Sequence, residues 1–152
     1  MQVLLGIGND LLGDDGVGPY IARNVTNSHW KTFDGGSVPE NFIRPLRNLA
    51  PDLLVLVDAV DMGMEPGIVR IIPPDAIRDH GFGSHQMSLE HLIGLLQSFC
   101  SKVVLIGIQP MCLDLDTPLT SPVVEAAESI LTMLESGEIA GIPEYGYETH
   151  KK

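Results

Sequence analysis

Four aspartates and one histidine carry the chemistry this sequence could perform. Asp14 and Asp15 stand side by side in a glycine-rich loop behind the apolar run Val3-Leu4-Leu5. Asp34 opens the run Asp34-Gly35-Gly36-Ser37, and Asp58 closes Leu53-Leu54-Val55-Leu56-Val57. Each comes where an expected strand gives way to a loop. Open α/β sheets bind ligands beyond the carboxyl ends of their strands, so these acids converge on one rim where chemistry is expected. Converging carboxylates are costly unless a cation or a shared proton sits among them. Carboxylates alone would suit magnesium or calcium; adding an imidazole shifts the preference towards nickel, zinc or another transition metal. His85 is the best imidazole candidate, presented by the glycine-rich stretch Gly81-Phe82-Gly83-Ser84-His85 just before a helix. Taken alone, a loop histidine is more often solvated than a ligand. His29 and His150 read as surface residues, His80 as a backup to His85, and His91 as part of a helix.

Plainer roles compete for the same residues. Aspartate is a favoured helix N-cap, so one of Asp14 and Asp15 is expected to cap the first helix and leave the other free. Asp34-Gly35-Gly36 reads equally as a turn in which the aspartate bonds its own backbone. Cys100 ends the apolar stretch 92–99 and reads as a buried structural thiol rather than a nucleophile. No Ser-His-Asp or Cys-His arrangement stands out, so no acyl-enzyme is expected.

Strands alternating with helices must position these groups. Strands are expected at about 2–7, 30–33, 53–57, 68–72 and 103–108, and helices at about 17–27, 39–48, 88–99 and 121–134. Five apolar residues in a row at 53–57 mark a strand covered on both faces. The link into 68–72 is too short for a helical crossover, which makes that strand antiparallel and an edge. The expected architecture is a three-layer α/β/α sandwich with about five strands, mostly parallel, and one antiparallel edge strand. One domain accounts for residues 1–152, with a loosely ordered tail at 138–152.

Composition excludes several function classes. The chain is 44% hydrophobic and 19% charged, which argues against disorder. A net charge of −11 disfavours nucleic acid and anionic membrane as partners and favours a metal cation or a basic partner. No stretch has the length of a transmembrane helix, and Met1 leads straight into the first strand, so a cytoplasmic protein is expected.

The motifs Gly6-x-Gly8-Asn9, Gly13-Asp14-Asp15-Gly16-x-Gly18, Asp34-Gly35-Gly36-Ser37, Val57-Asp58-Ala59 and Ser84-His85-Gln86 together resemble the NiFe-hydrogenase maturation endopeptidases. The stretch Asp58-Ala59-Val60-Asp61-Met62-Gly63-Met64-Glu65-Pro66-Gly67, with Gly107-Ile108-Gln109-Pro110, is closest to the branch serving formate-hydrogenlyase-type hydrogenases. The resemblance covers roughly residues 2–135. It implies an endopeptidase that removes a C-terminal extension from a hydrogenase large-subunit precursor once nickel has been inserted. Asp15, Asp58 and His85 match the family's metal-holding positions, with nickel carried by the precursor. Many members have glutamate where this chain has Asp15; the shorter side chain keeps the charge. In one version of the mechanism the metal activates water; in the other nickel is only recognised, and a carboxylate such as Asp34 or Asp14 handles the proton. The resemblance also implies a monomer gripping one large partner. Two other readings remain. One is a nickel-checking chaperone that grips the precursor without cutting it. The other is a peptidyl-tRNA-hydrolase-like esterase, which shares Gly6-x-Gly8-Asn9 but needs a basic surface that this acidic chain lacks.

Overall fold

The computed structural model describes residues 1–80 and 88–146, the side chains of 78–80 excepted. The most apolar runs cannot face water on either side, and they form the middle of a sheet. Strands β1 (Gln2–Ile7), β2 (Trp30–Gly36), β3 (Leu53–Ala59), β4 (Val69–Ile72) and β5 (Lys102–Ile108) join in the order β2-β1-β3-β5-β4. The pairs β1–β2, β1–β3 and β3–β5 are parallel, and β4 runs antiparallel to β5 at the edge, as the short link predicts.

Alternation along the strands splits the core in two. Leu4, Val55, Val57 and Ile106 pack under Val17 and Ile21 of α1 (Val17–Asn24) and under Val123 and Ile130 of α5 (Ser121–Ser136). Leu5, Ile7, Leu54, Leu56 and Leu105 face the other way. They meet α2 (Ile43–Leu49), α3 (Pro74–His80) and α4 (Leu89–Gln97) through Leu46, Ile77, Leu89 and Leu92. The three-layer α/β/α sandwich is thus borne out.

Several boundaries differ from expectation, each for a local reason. Helix α3 was not expected, because Pro73-Pro74 reads as a strand terminator. Pro74 instead takes the first helical position, where its missing N–H costs nothing, and Asp75 complements the helix start. The expected helix at 39–48 is divided into a 3₁₀ turn at Pro39–Phe42 and the seven-residue α2, with Pro45 in its first turn. Strands β2 and β3 run further than their apolar cores, so Asp34 and Asp58 lie inside strands rather than after them. The start of the tail is not loose. Ile139 and Ile142 are buried, and Ile71 exchanges backbone hydrogen bonds with Pro143 and Tyr145 at 2.9 and 2.8 Å.

Helix α1 lies almost on the strands beneath it. A Cβ on Gly18 would sit 2.3 Å from the Ile7 carbonyl oxygen and 2.5 Å from that of Val57. Those neighbours are backbone and cannot swing aside. Gly18→Ala should therefore lose about 1–3 kcal/mol of stability, read as a lower denaturant midpoint with the slope unchanged.

Candidate active site

The carboxyl edge of the sheet gathers the loops after β1, β3 and β5, and the four aspartates divide there into distinct roles. Asp14 is fully buried. Its Oδ2 accepts the N–H groups of Met111 and Cys112 at 2.8 and 3.0 Å, and its Oδ1 that of Thr120 at 2.7 Å. The Thr120 hydroxyl donates as well, 2.8 Å from Oδ2. Burial alone would raise this carboxyl, but the backbone donors of Thr120, Cys112 and Met111 and the Thr120 hydroxyl outweigh it and hold the group below the ordinary carboxylate value. Asp14 is a bracket between the first loop and the loop leading into α5.

The expected cap on α1 is not made. Gly16 precedes that helix without a side-chain cap, because Asp14 is spent on the 111–120 loop and Asp15 turns back to the strand end. Asp15 Oδ2 accepts the Asn9 N–H at 2.8 Å, and Asn9 Oδ1 accepts the Leu11 N–H at 2.9 Å. A carboxylate offers about four acceptor positions, so one backbone hydrogen bond fixes its orientation with capacity to spare.

Asp58 is only 2% exposed, the penultimate residue of β3. The sheet register separates it from Asp34. Asp34 is level with Gly6, which is level with Val57, so Asp34 and Val57 share a face and Asp58 points to the opposite one. The expected convergence therefore holds for the edge of the sheet but not for the face. Asp34 lies on the α1 side, exposed. Its Oδ2 pairs with the Arg23 guanidinium at 2.9 Å, a group shared with Asp10 at the same distance, and its Oδ1 accepts the Gly36 N–H at 3.1 Å. The last contact is the local turn that the Asp34-Gly35-Gly36 run allows. Asp58 lies on the side of α2, α3 and α4. Helix α4 ends at the amino edge, where the Ser101 N–H bonds the Pro51 carbonyl, and so begins towards the carboxyl edge. Ser88 caps that beginning, its Oγ accepting the His91 N–H at 3.2 Å. His85 lies outside the described residues. Among those described, no three His, Cys, Asp or Glu side chains group closely enough to hold a metal ion. Cys100 is buried, which pushes its thiol up, in keeping with a structural role.

One working residue escaped the sequence reading. Gln109, nearly buried at the end of β5, accepts the N–H groups of Met62 and Met64 at 2.6 and 3.2 Å and donates to Asp61 at 3.2 Å. Its backbone also bonds Gly67 and Ile68, each at 2.9 Å. The loop that follows Asp58 is thereby tied to the neighbouring strand. The signals for this were the place of Gln109 just past an apolar strand and its presence in the stretch Gly107-Ile108-Gln109-Pro110, which resembles the family without assigning the residue a role.

A family model described as hydrogenase maturation protease matches residues 17–137. The chain belongs to the hydrogenase maturation protease family. It is 41% identical to the hydrogenase 3 maturation protease of Escherichia coli strain K12, over 90% of each chain. A crystal structure of a hydrogenase 3 maturation protease superposes with a TM-score of 0.89 at 39% identity, covering 96% of this chain and 97% of that one. The NiFe-hydrogenase maturation protease of Thermococcus kodakarensis gives 0.81 at 27% identity, covering 90% and 91%. As in any maturation protease, the chemistry is that of a peptidase, which displaces the esterase reading. No helix among the described residues is long and apolar enough to cross a membrane.

Proposed function

We propose that this maturation protease removes the C-terminal extension of a NiFe-hydrogenase large-subunit precursor after nickel insertion, and that it recognises the nickel carried by that precursor. The observation that carries the reading is Asp58. It is a carboxylate held 2% exposed at the carboxyl edge of a mostly parallel sheet, where open α/β folds bind their ligands, and its oxygens are donors that suit a divalent cation. Asp15, fixed by the Asn9 N–H, supplies a second oxygen donor from the first loop. With His85 as the imidazole, the set is two carboxylates and one nitrogen, a combination that suits nickel and leaves positions for groups of the substrate. When bound, the metal supplies a Lewis acid close to the scissile peptide.

The remaining roles belong to the chain itself. Asp15 and Asp58 hold their orientation through the backbone and the strand, so little reorganisation accompanies binding. Asp14 and Gln109 fix the two loops beside them. Asp34, engaged by Arg23 and the Gly36 N–H, positions the end of β2, and a proton-handling role for it would require release from Arg23. A cytoplasmic monomer that grips one large precursor completes the reading.

Incubating the purified protein with nickel-loaded precursor tests the proposal. Loss of the extension supports it. A precursor that binds but keeps its extension would assign the protein to the chaperone class instead.

A further inference from the structure

Among the described residues six large apolar side chains are exposed, and five of them follow the carboxyl ends of parallel strands: Leu11, Val38, Met111, Leu113 and Leu115. Single exposed apolar residues need no explanation. Their confinement to one edge does. Leu11, Met111 and Leu115 expose 57%, 63% and 64% of their surface. The loops that carry them are joined: the Leu11 carbonyl accepts the Asp116 N–H at 2.8 Å, and the Cys112 carbonyl accepts the Asp14 N–H at 2.8 Å. A Cβ on Gly13 would lie 2.5 Å from the Cys112 oxygen, so the loops touch backbone to backbone. Through Asn9, the same hydrogen-bond chain leads from Leu11 to the Asp15 carboxylate.

The charge of this edge says what can cover it. Segments 9–16, 58–67 and 109–120 hold eight aspartates and glutamates and no lysine or arginine. Asp14 and Asp58 are buried and Asp10 pairs with Arg23, which leaves Asp15, Asp61, Glu65, Asp114 and Asp116 to face a partner. A second copy of the chain would bring two such edges together and be repelled. An apolar stretch flanked by lysine or arginine would meet both the leucines and the acids, and loops already fixed by hydrogen bonds lose little freedom on receiving it. We propose that loops 9–12 and 111–116 form a docking surface, beside Asp15, for an apolar and basic segment of the precursor. The endopeptidase reading supplies only the identity of that partner.

Two double variants, Leu113→Ser with Leu115→Ser and Glu65→Lys with Asp114→Lys, test it, since all four side chains are exposed. Cleavage of nickel-loaded precursor should show KM raised about tenfold and kcat within about twofold in each. Fluorescence anisotropy with two labelled peptides of equal length, one of Leu and Lys and one of Leu and Glu, provides an independent arm. The Leu/Lys peptide should bind the unsubstituted protein, more weakly at higher salt and about tenfold more weakly to each variant, and the Leu/Glu peptide should not bind. Unchanged KM in both variants overturns the proposal, as does equal binding of the two peptides. If the unsubstituted protein leaves the precursor intact, the endopeptidase reading fails and the peptide arm alone decides the docking surface.

Discussion

Asp58→Asn should remove precursor processing while the protein stays folded. The substitution keeps size and shape, so the packing of β3 beneath α4 is preserved, but the charge that would meet a cation is gone. Altering a group that merely supports a metal ligand costs about 10–100-fold, and loss of a ligand should exceed the upper figure. Stability should change little, because the amide fills the same space at a site that is 2% exposed. Single-turnover cleavage of nickel-loaded precursor, alongside thermal melts, measures both. His85→Ala should lose processing in the same assay without lowering the melting temperature. A marked fall in melting temperature for Asp58→Asn would instead make Asp58 a structural residue.

Asp14→Ala should cost about 3–5 kcal/mol, the range for breaking a buried charged network from one side. The carboxylate receives three backbone N–H groups and one hydroxyl, and its loss strands donors of Met111, Cys112 and Thr120 inside the protein. The pH dependence follows from the direction of its titration. The folded Asp14 has its pKa below the ordinary value of 3.8, so it favours the folded state above that value. As pH falls through the lowered folded pKa the carboxylate is protonated and that contribution disappears. The stability gap between the unsubstituted protein and Asp14→Ala should therefore be widest near neutrality and narrow below about pH 4. Urea unfolding at several pH values reads it directly; a gap independent of pH would show that the charge of Asp14 plays no part.

How much of this was legible in the sequence depends on the range of the interaction. The runs 53–57 and 103–108 are apolar without alternation, and that alone places them mid-sheet. The short link before β4 determines its direction. Helix α3 was missed because a proline pair ends a strand and starts a helix with the same two residues. The division of labour between Asp14 and Asp15 could not be read locally. Each stands between a glycine and an aspartate, and what separates them is a loop about a hundred residues away, whose N–H groups meet only Asp14. Asp34 misled for a similar reason. A strand-end position predicts the edge but not the face, and the face depends on a one-residue register with β1. Gln109 stands in a stretch that resembles the family, but an amide side chain there names no role, which shows only through the loop it holds.

The most direct test of the central claim is the intact mass of a hydrogenase large-subunit precursor after incubation with this protein, with and without nickel. The account predicts loss of a C-terminal peptide from the nickel-loaded form alone. Equal cleavage of both forms would contradict nickel recognition, and an unchanged mass in both would contradict the proteolysis itself.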